Sequence, residues 1–299
     1  MKRSNLIILY IVLTSFILAW GSIRIEKFEK KKIKNNIVYI ELEDTPFSGK
    51  LEGENISEEY KNGIKNGVFK GEFIDEGQKF LYEGKYIEGI KHGVWTIKYP
   101  TGERRAVLEY DYDKPCGQWK YYYKGNKLEA FENFEKGVLS GEMKVFNKEG
   151  IEILKSTYHN GLLNGRFISY YSKNIINTVT NFSYGKLNGS IKVFTEDGTL
   201  LLEGKYIDDR REDVWKLYYS SGEIKTKVSY KLGKKHGESI IYDKNGMVME
   251  KTIFNNGIEE GSKDLKPKNN INKDKLVSKF KKFNRELRYE KYDDILSKL

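Results

Sequence analysis

The chain has 299 residues, 38% of them hydrophobic and 14% aromatic, which is enough to bury a sizeable core. Its one cysteine, Cys116, excludes an intrachain disulfide and a cysteine-based zinc site. The net charge of +10 lies at the two ends: residues 1–35 carry eight Lys or Arg against two Glu, and residues 262–299 carry twelve against six acidic residues. The middle of the chain is close to neutral, so nucleic acid is not expected as a partner.

Residues 1–24 have the order of a signal peptide. A basic pair precedes a mostly apolar run from Leu6 to Trp20, and the small residues Ala19 and Gly21 suit a signal-peptidase site. The run of fifteen is short for a membrane span. The segment is therefore predicted to be a cleaved signal peptide or an uncleaved membrane anchor, with a buried core helix as the third alternative.

A repeat follows a lead-in segment and partial repeat at residues 25–59. An aromatic residue recurs through residues 60–261, first after 26 residues and then every 24. These residues are Tyr60, Tyr86, Tyr110, Phe134, Tyr158, Phe182, Tyr206, Tyr230 and Phe254. Seven positions after each of them comes a glycine, replaced once by aspartate: Gly67, Gly93, Gly117, Gly141, Gly165, Gly189, Asp213, Gly237 and Gly261.

Each period has room for two strands and two turns. EMKVF and IEILKSTY (residues 142–146 and 151–158) are strand-like, whereas NKEG and HNGLLNG (residues 147–150 and 159–165) are turn-like, with glycine supplying the positive φ of tight hairpins. The predicted fold is all-β: an elongated, single-layer antiparallel array of about nine 24-residue hairpin repeats.

The alternation within the first strand of each repeat separates two faces. Trp95, Trp119 and Trp215 are predicted to lie on the core face, where each hairpin stacks on the next. The opposite face carries a recurring lysine followed two positions later by a ring. The candidate binding residues are Lys120, Tyr122, Lys144, Phe146, Tyr170, Lys192, Phe194, Lys216, Tyr218 and Tyr242. This face is either a second packed layer under lysine stems or a surface for a protein, glycan or lipid headgroup.

No residue pattern predicts catalysis, a metal or a cofactor. His92 and His236 occupy the same repeat position six repeats apart, and His159 lies in another turn without an adjacent Ser or Cys. Cys116 lies between Pro115 and Gly117, where a reactive thiol is the alternative to an inert one. The turn IDDRRED (residues 207–213) replaces two repeat glycines by Asp209 and Asp213, which tolerate left-handed geometry. It is a candidate for a local functional patch.

The C-terminal region is predicted to be a polar linker at residues 262–273 and an amphipathic basic helix at residues 274–299. Leu276, Phe280 and Phe283 have helical spacing. The helix has three alternatives: capping the open edge of the last hairpin, docking to a membrane surface or a partner, and disorder.

Units such as YIEGIKHGVWTIKYPTGE (residues 86–103) and YKLGKKHGESIIYDKNG (residues 230–246) resemble the bacterial variant of the MORN repeat. TPFSGKLEG (residues 45–53) is similar to the lead-in of such arrays, and the chain as a whole resembles the YwqK-family antitoxins. The resemblance implies a β-hairpin array used for binding or scaffolding, without an active site. The family label implies neutralisation of a partner toxin.

These observations predict a non-catalytic repeat protein that binds or scaffolds a protein or envelope partner. The alternative is an antitoxin-like protein that neutralises a toxin by direct binding. A protein partner and membrane association through the N-terminus are expected, and a homodimer is left open. The repeats are expected to lie outside the cytoplasm of a bacterium, exported or anchored in its cytoplasmic membrane.

Overall fold

The computed structural model describes residues 23–263. Within this range the fold is all-β, as predicted, apart from a single 3-10 turn at Phe28–Lys30. The apolar run of the N-terminal segment and the predicted C-terminal helix, residues 274–299, lie outside the described residues. Within residues 23–263, no helix is long and apolar enough to span a membrane.

The chain divides into two compact units. The first unit comprises residues 23–152 and 158–161, and the second comprises residues 153–157 and 162–263. Strand β14, Glu152–His159, contributes residues to both.

The first unit begins with a short hairpin and continues as a ladder of antiparallel strands. Its strands are β1 Ile25–Lys27, β2 Lys31–Lys34, β3 Ile37–Ile40, β4 Gly49–Glu52, β5 Ser57–Lys61, β6 Ile64–Asp75, β7 Gln78–Ile87, β8 Ile90–Lys98, β9 Arg104–Asp111, β10 Lys114–Tyr122, β11 Leu128–Glu135, β12 Val138–Leu139 and β13 Gly141–Phe146. Strands β2 and β3 form a separate sheet, and β1 pairs with β4 in parallel. From β4 to β11, consecutive strands pair in antiparallel order, and β11 also pairs antiparallel with β12 and β13.

The second unit repeats the same hairpin. Its strands are β15 Leu162–Leu163, β16 Gly165–Ser172, β17 Ile175–Ser183, β18 Lys186–Phe194, β19 Leu200–Ile207, β20 Arg210–Tyr218, β21 Ile224–Lys231, β22 Lys234–Tyr242, β23 Val248–Asn255 and β24 Ile258–Lys263. Each strand from β16 pairs antiparallel with the next. The predicted antiparallel hairpin array is therefore present in both units.

The glycine seven positions after each repeating aromatic lies in a strand and not in a turn, which corrects the predicted turn. At the start of β8, Gly93 has φ 72° and sits where the pairing with β7 shifts between Glu83 and Lys85. The tight turn is the preceding pair Glu88 and Gly89, both with positive φ, as in a type I′ hairpin. The sequence pattern shows that positive φ is needed, but the bulge depends on pairing with the neighbouring strand.

The core face consists of aromatic rings stacked from repeat to repeat. Trp95 is 0% exposed and meets Tyr86 edge-on, with ring centroids 5.1 Å apart. In the second unit, Trp215 meets Tyr206 in the same way at 4.9 Å. Trp119 is likewise buried, so all three tryptophans lie on the face that the sequence assigns to the core.

Glycine opposite a core tryptophan makes room for the indole. A Cβ at Gly84 would lie 2.0 Å from Cδ2 of Trp95, and one at Gly204 would lie 2.3 Å from Cδ2 of Trp215. Neither distance is compatible with an ordinary contact, so these two glycines allow the ring to lie directly on the backbone.

Hydrogen bonds between equivalent positions join each hairpin to the next. At one edge, the amide of the second tip residue donates to a carbonyl of the preceding repeat, as from Gly89 to Lys65 at 2.7 Å and from Gly233 to Arg211 at 2.9 Å. Near the opposite edge, the hydroxyl of Tyr219 donates to the carbonyl of Tyr242 at 2.8 Å. These bonds supplement the strand ladder within each unit.

Candidate interaction surface

The register of the first unit aligns one residue from each strand in a row across its outer face. This outer row of the first unit runs from β5 to β13 and consists of Ser57, Lys70, Glu83, Thr96, Val107, Lys120, Phe131 and Lys144. Adjacent members lie on neighbouring strands, about 4.8 Å apart. The row thus brings Lys120 and Lys144 to either side of Phe131.

Carboxylates within the first unit neutralise most of this row. Lys70 lies 2.9 Å from Glu83, and Lys98 lies 3.6 Å from the same side chain. The pKa of Glu83 is held below its usual range, chiefly by the hydrogen bond from Lys70. At the other end of the row, Lys144 lies 2.9 Å from Glu152.

The second unit has an equivalent row. This outer row of the second unit runs from β14 to β23 and consists of Lys155, Ile168, Val179, Lys192, Glu203, Lys216, Lys227, Ile240 and Lys251. Lysines outnumber carboxylates in this row more strongly than in the first unit. Ile240 is 8% exposed between Lys227 and Lys251, consistent with cover by the lysine stems.

One ring of the second unit takes part in a charged network. The carboxylate of Glu203 accepts hydrogen bonds from Nζ of Lys216 and from the hydroxyl of Tyr218, both at 2.8 Å. The hydrogen bond from Lys216 lowers the pKa of Glu203, and the charge of Lys192 contributes. The pKa of Tyr218 is raised, first by burial and then by its bond to Glu203.

The rings that follow the recurring lysines are less exposed than a regular alternation predicts. In five of these strands the pairing shifts immediately before the ring, as between Tyr121 and Tyr122. Tyr122 is 8% exposed and is therefore not available as an open ring. The remaining candidate rings are partly buried: Phe146, Tyr170, Phe194, Tyr218 and Tyr242. These rings therefore do not offer fully open stacking faces.

Lysines on the second strand of a repeat are part of the rows, although sequence reasoning on the first strand alone missed them. Lys155, Lys227 and Lys251 each stand three residues before a repeating aromatic. This fixed offset from the aromatic is the sequence signal that identifies these second-strand lysines. Their neighbours in the row follow only from register, which places Lys227 opposite Lys216 but Lys155 and Lys251 opposite Ile168 and Ile240.

A groove of about 540 Å³ lies on the first unit, between the turn that joins β4 to β5 and strands β6 to β8. Leu81 forms part of its wall, and its charged lining includes the Lys70, Glu83 and Lys98 cluster. Sequence reasoning did not predict this groove, because its wall requires the lead-in turn to cross the outer face.

Buried charge accumulates where the lead-in segment meets the first repeat. Nζ of Lys31 lies 2.6 Å from Glu58, and the Tyr60 hydroxyl donates to the same carboxylate at 2.6 Å. Burial lowers the pKa of Lys65, and the nearby charges of Lys31 and Lys91 add to this effect, although that of Glu58 opposes it. This cluster lies on the core side of the repeats and seals the first aromatic ring from solvent.

The environment of Cys116 does not favour a reactive thiol. Cys116 lies in β10, and burial raises the pKa of its thiol, as do the carboxylates of Glu109 and Asp111. A raised pKa lowers the thiolate fraction on which cysteine reactivity depends. Among residues 23–263, no group of three or more His, Cys, Asp or Glu side chains could hold a metal ion.

The acidic turn of the second unit keeps the repeat geometry. Asp209 and Asp213 have φ 64° and 58°, which confirms that aspartate can replace both glycines. The carboxylate of Asp209 also accepts a hydrogen bond from the amide of Leu187 at 2.8 Å, and Asp213 lies 3.0 Å from Lys205. The two aspartates that replace glycine therefore have structural partners.

Two segments match the family model described as the MORN repeat variant, at residues 214–232 and 235–256. Both lie in the second unit, and the match supports a MORN-repeat protein. No curated protein matches the chain.

Proposed function

We propose that the chain is a non-catalytic repeat protein that binds or scaffolds a protein or envelope partner through its two outer rows. The observation that carries this proposal is the alignment, within each unit, of lysines from the first strands of successive repeats. They are Lys120 and Lys144 in the first unit, and Lys192 and Lys216 in the second. MORN repeats are commonly protein- or membrane-binding, which fits this function.

The rows favour binding by many weak contacts. An ion pair at an exposed lysine contributes only about 0.2 to 1 kcal/mol, and its strength falls with salt. Several lysines held by the strands of one unit act on the same partner without separate ordering costs, so their contributions combine. We therefore expect the loss of one lysine to have little effect and the loss of several to abolish binding.

The proposal includes export or anchoring through residues 1–24, which have the order of a signal peptide. The repeats would then lie outside the cytoplasm of a bacterium and meet an envelope partner. Association of two copies through the rows is not part of the proposal, because lysines facing lysines repel.

The alternative function is antitoxin-like neutralisation of a partner toxin by direct binding, which the sequence resemblance supports. The two functions differ in stoichiometry. A neutralising protein forms a one-to-one complex that blocks the toxin, whereas a scaffold binds without inhibiting its partner. Light scattering of the purified complex, with an activity assay of the captured protein, separates them.

The test is a pull-down from membranes with the intact protein as bait. We expect the charge-reversed variant Lys120→Glu, Lys144→Glu, Lys192→Glu and Lys216→Glu to fold with an unchanged circular dichroism spectrum and to lose the partners. Recovery of the same partners with the same affinity would refute a role for the rows.

A matched control has the same charge change away from the rows. Lys136, Lys148, Lys173 and Lys244 are exposed and lie in turns. Their simultaneous change to Glu should leave partner recovery intact. If this control loses the partners as well, total charge and not the rows determines binding.

A further inference from the structure

We infer that the outer row of the second unit is specific for an acidic segment of a protein. This inference rests on the proposed function and names the chemistry of the partner. It concerns the part of the row from Lys192 on β18 to Lys251 on β23.

Four lysines in this part of the row share two carboxylates. Lys216 lies 2.8 Å from Glu203, and Lys251 lies 2.6 Å from Glu238. Lys192 and Lys227 form no ion pair with another residue in the range 23–263, but their charges act on the same two acids. The surface therefore keeps an excess of positive charge after its internal pairs are formed.

The register places two of these lysines directly opposite each other. Lys216 on β20 is the cross-strand partner of Lys227 on β21. Like charges at opposed positions destabilise a sheet. The equivalent pair in the first unit, Lys120 and Phe131, has no such repulsion. An anionic partner that lies across β20 and β21 would relieve it.

The spacing suits an extended polypeptide. From β18 to β23 there are five steps between strands, or about 24 Å, which an extended peptide of about seven residues spans. Acidic side chains on one face of such a peptide recur about every 7 Å and can reach successive lysines.

The carboxylates within the row favour a protein over a polyphosphate. Glu203 lies between Lys192 and Lys216, where a continuous run of phosphates would meet a negative charge. A polypeptide can place a neutral or basic side chain there. Nucleic-acid surfaces of this kind also use open rings for stacking, whereas Phe194 and Tyr218 are partly buried.

The chain's own C-terminal segment is a poor occupant. Residues 264–299 contain eleven Lys or Arg against six Asp or Glu, so they carry the same sign of charge as the row. Charge complementarity therefore selects a separate, acidic partner.

The test measures fluorescence anisotropy of the full-length protein with a labelled peptide of alternating Glu and Ser, about ten residues long. The variant Lys192→Gln, Lys216→Gln, Lys227→Gln and Lys251→Gln should lose at least about tenfold in affinity, since four surface contacts act together. The control variant Lys136→Gln, Lys148→Gln, Lys173→Gln and Lys244→Gln changes exposed turn lysines outside both rows and should stay within about twofold of the unmodified protein. Melting curves establish that both variants fold.

Two results would overturn the inference. The first is unchanged peptide affinity in the folded second-unit variant. The second is tighter binding to an oligothymidylate, or to vesicles of phosphatidylcholine and phosphatidylserine, which would identify a nucleic acid or a lipid surface as the partner.

Failure of the proposed function gives a different pattern. If peptide binding depends on the second-unit lysines but the membrane pull-down is insensitive to all row lysines, the proposed function fails and the acidic preference stands. If the pull-down depends only on Lys120 and Lys144, the function stands and the inference fails.

Discussion

Gly204→Ala tests the close contact between a glycine of strand β19 and a core tryptophan. The added Cβ would lie 2.3, 2.4 and 2.7 Å from Cδ2, Cε2 and Cε3 of Trp215. Since carbon atoms in contact are about 3.5 to 4.0 Å apart, the indole must retreat by about 1 Å. Trp215 is 5% exposed and bonds through Nε1 to the carbonyl of Lys205 at 3.2 Å, so little free space is available for this movement.

We expect Gly204→Ala to lower the free energy of unfolding by about 1 to 3 kcal/mol, the usual cost of overpacking a core. Gly204 has no positive φ, so the cost comes from the steric contact and not from the backbone. The assay is urea denaturation followed by far-ultraviolet circular dichroism.

A double-mutant cycle isolates the contact. In the background Trp215→Leu, the added methyl group no longer meets an indole, and Gly204→Ala should cost less than half as much. Gly84→Ala, which faces Trp95 at 2.0 Å, is an independent replicate in the first unit. A change of less than about 0.5 kcal/mol in both units would show that the rings do not lie on these glycines.

Three further predictions concern single side chains. Tyr219→Phe removes the 2.8 Å hydrogen bond to the Tyr242 carbonyl and should lower the free energy of unfolding by about 0.5 to 1.5 kcal/mol, measured by urea denaturation. No loss of stability would mean that water replaces the hydroxyl. Burial raises the pKa of Tyr82 to about 12, so above pH 10 the unfolded chain loses a proton that the folded one keeps, and stability should fall as pH rises toward 12. Tyr82→Phe should make that fall less steep in melting curves between pH 9 and 12, and an unchanged slope would refute the assignment. Trp119→Ala should lower the free energy of unfolding by about 3 to 5 kcal/mol, and Lys136→Ala should lower it by less than about 0.5 kcal/mol. The reverse order would mean that the core face is misassigned.

The period, the strand type and the core face follow from the sequence by itself. Glycine, aromatic and alternation signals recur every 24 residues, and each is local in the chain. Burial of Trp95, Trp119 and Trp215 needs only the two-residue period of a strand and the requirement that apolar faces meet. The resemblance of single repeats to the MORN variant is local information of the same kind.

Tertiary structure alone decided what lies side by side. The bulge at Gly93 and the register shift before Tyr122 depend on which residue of the neighbouring strand is opposite. The same dependence places Lys227 against Lys216, although the two lysines come from different strands of the repeat pattern. The register of two strands depends on contacts between residues that are distant in sequence. A repeat period in the chain alone is compatible with more than one register. The candidate site is a row of such pairings, which is why the sequence predicted its first-strand lysines but not the arrangement that makes them a surface.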